Sequence, residues 1–248
     1  MKILKNTFIL AWRVWFYCWV LFTIIPAIPV LLIVISKEEW YPYFFKIARA
    51  WAKTILFVMG FKVKVEAEQE IDPKKSYIFT PNHTSMIDIM LMLAITKNPF
   101  VFIGKAELAK IPIFGFFYKK TNILVDRSNS SSRKEAFYEA DRRLKNGISI
   151  CIFPEGMVPD EKVILSEFKS GAFRLAIEHK VPIVPITFYD CKKRFSYTFF
   201  SGSPGKLRVK IHKFIETKNL DIKDHKKLKE MVYRILYNSL TCENIRES

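Results

Sequence analysis

Residues 77–93 read YIFTPNHTSMIDIMLML. The opening four residues are apolar or β-branched, the texture of a buried strand. Pro81-Asn82 then turns the chain, since proline presets φ and asparagine tolerates tight turns. From Met86 the apolar residues run on too long for a strand, and Ser85 with Asp88 heads them as an S-x-x-D capping box. A strand that turns directly into a helix is the repeating unit of an α/β fold.

The same grammar recurs on both sides of this stretch. Strands are expected near 62–65, 77–80, 100–103, 122–125, 149–153, 183–188 and 207–212. Helices are expected near 86–95, 132–145, 171–178 and 224–240. In the last of these, Leu228, Met231, Val232, Ile235 and Leu236 recur at helical spacing and make one apolar face. The expectation is an α/β domain with a mixed, largely parallel sheet flanked by helices.

Upstream the texture differs. Val14 to Ser36 carries no charge, which is long enough to cross a bilayer. Lys2, Lys5 and Arg13 precede it, and no small-residue cleavage site follows. Pro26 and Pro29 are expected to break this helix, because proline removes a hydrogen bond and crowds the preceding turn. A second apolar stretch, Tyr41 to Met59, bears Lys46, Arg49 and Lys53, which suits an interfacial helix. Two arrangements follow: a single span, or a helix-break-helix element dipping into one leaflet. The prolines and the basic second helix favour the second, a monotopic protein on the cytoplasmic face. The expected division is residues 1–60 as membrane-associating helices and 61–248 as the α/β domain.

Composition narrows the partners. Forty Lys and Arg against 24 Asp and Glu give a formal charge of +16, which calls for a polyanion. The 22 phenylalanines point to anionic membrane lipid, because interfacial proteins pair aromatic surface with basic charge. Nucleic acid fits the charge but not the apolar N-terminus, and no nucleic-acid-binding motif is present. The cysteines, Cys18, Cys151, Cys191 and Cys242, are widely separated, so neither a zinc site nor a disulfide framework is expected.

Two strand-to-helix junctions carry unusual residues, and such junctions are where function collects in α/β sheets. At the first, Asp88 has a complete structural explanation as a helix cap. It is also placed to reach back to His83, fix its tautomer and make it a general base for an alcohol. Ser85 and Cys151 are competing nucleophiles, but Ser85 reads as a cap and Cys151 lies mid-strand. At the second junction, residues 148–173 read ISICIFPEGMVPDEKVILSEFKSGAF. Glu155 follows a buried strand directly and precedes Gly156. Lys169-Ser170-Gly171 opens the next helix with a cation, a hydroxyl and N–H groups, an arrangement suited to phosphate or simply to a cap.

Together these segments resemble the glycerolipid acyltransferases, specifically the 1-acylglycerol-3-phosphate O-acyltransferases. Asn82-His83-x4-Asp88 matches the family's first motif. Gly104-Lys105 with Val125-Asp126-Arg127 matches the second, Phe153-Pro154-Glu155-Gly156 the third and Val181-Pro182-Ile183-Val184-Pro185 the fourth. The likeness covers roughly residues 75–190. It implies acyl transfer from acyl-CoA or acyl-carrier protein to a lysophospholipid hydroxyl, with His83 and Asp88 catalytic and no metal or bound cofactor. It further implies that Asn82, Lys105, Arg127, Glu155, Gly156 and Lys169 serve the substrate: Lys105 and Arg127 on phosphate, Glu155 on a glycerol hydroxyl. Backbone N–H groups near the fourth motif or the helix start would hold the oxyanion. One departure matters. Met157-Val158-Pro159 stands where the family usually has Thr-Arg-Ser. The phosphate-holding charge then falls to Arg127, Lys105 or Lys169. The acceptor stays open among lysophosphatidic acid, glycerol-3-phosphate and another lysolipid such as a lyso-aminolipid. A non-enzymatic lipid-binding protein would leave His83, Asp88 and Glu155 unexplained.

Overall fold

The computed structural model describes residues 2–111 and 114–247. In chain order these form α1 (Lys2–Val34), α2 (Tyr41–Val58), β1 (Phe61–Ala67), β2 (Ile78–Pro81), α3 (Ile87–Ile95) and β3 (Phe100–Lys105). There follow α4 (Phe114–Thr121), β4 (Ile123–Val125), α5 (Ser130–Lys145), β5 (Ser149–Cys151) and α6 (Gly171–Glu178). The chain closes with β6 (Ile183–Phe188), α7 (Cys191–Arg194), β7 (Gly205–Ile211) and α8 (His225–Glu247). The seven strands lie in the order β1-β7-β6-β2-β5-β3-β4. Neighbours from β6 to β4 are parallel. β7 runs against β6, as the bonds Tyr189 N–H to Arg208 O and His212 N–H to Pro185 O require. The mixed, mostly parallel sheet flanked by helices is the one expected, and each expected strand is present.

By its contacts the chain forms two compact units. The first takes in Met1–Glu66, Thr84–Lys97 and Phe188–Val209. Its core holds Phe16, Phe45, Ile55, Leu56, Leu91, Met92 and Phe195. Here one expectation is corrected. α1 runs unbroken through Pro26 and Pro29, and the chain turns only at residues 35–37. Two prolines three residues apart leave their missing bonds on one side of the helix, so it can bend there without parting. α2 packs along it, and Trp51 Nε1 donates to Thr23 Oγ1 at 2.8 Å, one turn before Pro26. α3 is apolar on nearly every face, and seven of its nine residues are buried. That is the signature of a core helix; it packs against α2.

The second unit comprises Ala67–His83, Asn98–Thr187 and Lys210–Ser248. Ile78, Phe79, Val101, Ile150, Ile183, Val184 and Ile186 are buried in its strands. Such continuous apolar runs mark parallel strands covered on both faces. Phe168 and Phe173 stack nearby, and the apolar face of α8 (Leu228, Val232, Leu236) is buried, as its spacing predicted.

Candidate active site

In the second unit the C-terminal ends of adjacent parallel strands meet in register. Phe79 of β2 pairs with Cys151 of β5, Phe102 of β3 pairs with Cys151, and Lys105 of β3 pairs with Val125 of β4. Shortly past those ends stand His83, Glu155, Lys105 and Arg127. This is the edge at which open α/β sheets bind ligands.

His83 is half-buried, and its ring stacks on Phe153 with centroids 4.1 Å apart; Phe102 stacks on the same phenylalanine at 6.0 Å. The imidazole is therefore held flat against an aromatic face. Asn82, beside it, is buried. Glu155 is only 2% exposed, yet both its oxygens are engaged by the backbone. Oε1 accepts the His83 N–H at 2.7 Å and Oε2 accepts the Ser166 N–H at 2.9 Å. Buried charge needs such donors.

Arg127 follows β4 on a loop built by its neighbours. Asp126 Oδ1 accepts from the N–H and hydroxyl of Ser128, and Asn129 caps α5 through the N–H groups of Ser131 and Ser132. The Arg127 guanidinium donates to the Gly156 carbonyl. Gly156 has φ +84°, and a Cβ there would overlap the guanidinium, so glycine is required twice over. The stem of Lys169 borders the same glycine, and the Lys169 N–H is committed to the Pro154 carbonyl at 2.7 Å. Lys105 instead pairs with Glu107 at 3.4 Å, largely in solvent.

A residue that sequence reasoning missed is Tyr118 of α4. It is 9% exposed, and a Cβ at Gly104 would overlap its hydroxyl. Burial pushes this phenol up to about 12, against the pull of nearby Arg127, so it stays a neutral donor at working pH. Nothing in local spacing marks Tyr118; only the strand-end geometry brings it to Gly104.

Asp88 belongs to the first unit and is fully buried. Its Oδ2 accepts the N–H groups of Thr84, at 2.6 Å, and Ser85, at 2.8 Å. Ser85 Oγ accepts the Ile87 N–H at 3.2 Å and donates to the Phe195 carbonyl. The reciprocal cap expected of Ser85 and Asp88 is thus present, although the helix proper starts at Ile87. The peptide N–H entering His83 is held by Glu155, and the one leaving it, on Thr84, by Asp88. The N–H groups of residues 83–85 therefore all point at carboxylates, which removes them as oxyanion donors.

Cys151 and Cys191 are buried, and burial pushes both thiols well above their ordinary range; at Cys191 the hydrogen-bonded Asp88 carboxylate adds to the effect. A thiol so raised is not a nucleophile. In the folded protein an aromatic disulfide reagent should label exposed Cys242 and leave Cys151 and Cys191 untouched until denaturant is added. Rapid labelling of Cys151 in the folded state would reopen nucleophilic catalysis.

Residues 62–189 match the model of the Acyltransferase family. The chain is 30% identical over 210 residues to 1-acyl-sn-glycerol-3-phosphate acyltransferase alpha of Mus musculus, covering 82% of this chain and 70% of that one. It is 31% identical over 179 residues to the 1-acyl-sn-glycerol-3-phosphate acyltransferase of Saccharomyces cerevisiae, covering 70% of this chain and 58% of the relative. The crystal structure of the 1-acyl-sn-glycerophosphate (LPA) acyltransferase from Thermotoga maritima shares the fold, with a TM-score of 0.77 over 100% of this chain and 99% of that chain at 24% identity.

Proposed function

The chain belongs to the Acyltransferase family, as an O-acyltransferase of the 1-acylglycerol-3-phosphate type, and from that premise we propose that it carries a fatty acyl chain from acyl-CoA or acyl-carrier protein to the sn-2 hydroxyl of lysophosphatidic acid. The product is phosphatidic acid. The observation that supports this reading most is the placing of His83. It lies past the end of β2, stacked on Phe153, beside the strand ends that carry Glu155 and Arg127.

In the proposed mechanism His83 takes the proton of the acceptor hydroxyl. The oxygen attacks the thioester carbonyl, the C–S bond breaks, and the thiolate leaves with the proton returned by the imidazolium. Asp88 stabilises that imidazolium and orients the ring. Glu155 acts as a positioning residue through the His83 N–H. The acyl thioester is the sole co-substrate, and no step calls on a metal or bound cofactor.

Arg127 is assigned the acceptor phosphate. Its guanidinium sits at the Gly156 carbonyl, next to Met157, where the family's usual arginine is missing. An arginine fork suits phosphate better than the ammonium of Lys105, which Glu107 already neutralises. Lys169, bordering Gly156, adds a second charge. The test is thiol release from palmitoyl-CoA by purified protein, with lysophosphatidic acid titrated in, for wild type and Arg127→Ala. Release should require the acceptor, and Arg127→Ala should raise the acceptor KM about tenfold or more while sparing the donor KM. Release without acceptor, or a rise confined to the donor, would overturn the assignment.

The same reading places α1 and α2 in one leaflet on the cytoplasmic face. α1 is long and apolar, and none of its most apolar window is buried in the protein. The argument for a half-inserted pair no longer rests on the prolines. It rests on α2, whose Lys46, Arg49 and Lys53 would be carried into hydrocarbon if the packed pair crossed the bilayer.

A further inference from the structure

The first unit holds a second feature that the transfer reaction does not use. After α7, whose Lys192, Lys193 and Arg194 are basic, the chain reads FSYTFFS over residues 195–201. Phe195 is buried, but Tyr197, Phe199 and Phe200 are 56%, 44% and 53% exposed. Three large rings close together on an open loop form an apolar patch that needs an occupant.

The loop is held rigidly. Arg13 of α1, itself 3% exposed, donates through Nη2 to the carbonyls of Ser196 at 2.7 Å and of Thr198 and Ser201 at 3.0 Å. Its guanidinium also lies over Phe195, at 4.7 Å, and Phe199, at 5.4 Å. Within the loop the Ser196 and Ser201 hydroxyls bond each other, and the Thr198 N–H donates to Ser196 Oγ. Phe16, one turn along α1, packs on Phe195 at 4.8 Å. Burying an arginine head to brace an exposed loop carries a desolvation cost, so the exposed rings are presented and not merely left over.

Arg13 also sets the height of the loop along α1. It is the last charged residue before the uncharged run that begins at Val14. The loop is therefore clamped where α1 passes from charged to apolar, the level of a bilayer's headgroups. Aromatic rings favour that level, and basic residues beside them favour anionic lipid.

We infer that residues 197–200 form an aromatic wedge that enters the headgroup region of an anionic bilayer, locked to α1 by Arg13. This rests on the proposal that α1 and α2 are membrane-embedded. Once inserted, the wedge fixes the rotation of α1 about its axis, because only one face of that helix carries Arg13.

The test uses full-length protein with Cys18→Ser and Cys242→Ser, Phe200→Cys and an environment-sensitive fluorophore on the new thiol. It is mixed with vesicles of phosphatidylcholine containing phosphatidylglycerol, with and without lipids quenched at headgroup depth. The expected result is co-flotation, a blue shift of the probe and quenching from the shallow position. A partner variant, Phe199→Ser/Phe200→Ser, should bind these vesicles about tenfold more weakly, from the loss of two half-buried rings. It should keep wild-type turnover on detergent-dispersed substrate, which also shows that it folds. Flotation with an unshifted, unquenched probe overturns the wedge and leaves the membrane placement of α1 standing. Failure to float overturns both. A probe shielded without lipid, increasingly so as protein concentration rises, assigns the patch to a second copy of the chain and likewise overturns the wedge.

Discussion

His83→Ala is expected to leave a folded protein whose turnover falls about a thousandfold, within the range typical for loss of a general base. The fold should survive because the structural duty of this position is a main-chain one. The N–H that donates to Glu155 and the peptide N–H that donates to Asp88 both remain in alanine. The lost contact is one half-buried ring on Phe153. Thiol release and thermal unfolding should be followed on the same preparation. Near-normal release with an unchanged unfolding midpoint would remove His83 from the chemistry. A large fall in midpoint would instead make it a packing residue.

The second large effect is expected at Glu155, and it separates two roles. If the carboxylate holds an acceptor hydroxyl, its loss should raise the acceptor KM and barely move stability. If it positions His83, both stability and kcat should fall. The bonding pattern favours the latter. Each oxygen already accepts a backbone N–H, and the side chain is 2% exposed. Glu155→Ala strands two N–H groups, at about 1–3 kcal/mol each, so the unfolding midpoint should drop by about 5–15 °C for a chain of this size. With the peptide entering His83 released, kcat should fall by about a hundredfold, the scale at which a small misplacement of a reacting group is felt. Glu155→Gln keeps one acceptor oxygen and should recover part of both losses. An unchanged midpoint and kcat with a raised acceptor KM would return Glu155 to the substrate.

Much of this molecule can be read locally. Strand β2, the turn at Pro81-Asn82, and α3 with its Ser85/Asp88 cap are settled by neighbours in the chain. So are the parallel strands, whose apolar runs have no other burial available. The candidate residues after those strands were legible for the same reason: strand ends in such a sheet fall at one edge. The prolines of α1 show where local reasoning stops. Pro26 and Pro29 break an isolated helix, but α2 packed alongside keeps this one continuous.

Long-range packing decided the rest. No spacing rule says that both oxygens of Glu155 face backbone N–H groups, one of them 72 residues away at His83. None says that Arg127 reaches the Gly156 carbonyl, that Tyr118 presses on Gly104, or that Arg13 braces a loop more than 180 residues downstream. Amino-acid order specifies which groups must find partners, because buried charge and buried N–H cannot go unpaired. Which partner each one finds depends on what the folded sheet and helices bring within about 3 Å, the reach of a hydrogen bond, and that is a property of the whole chain.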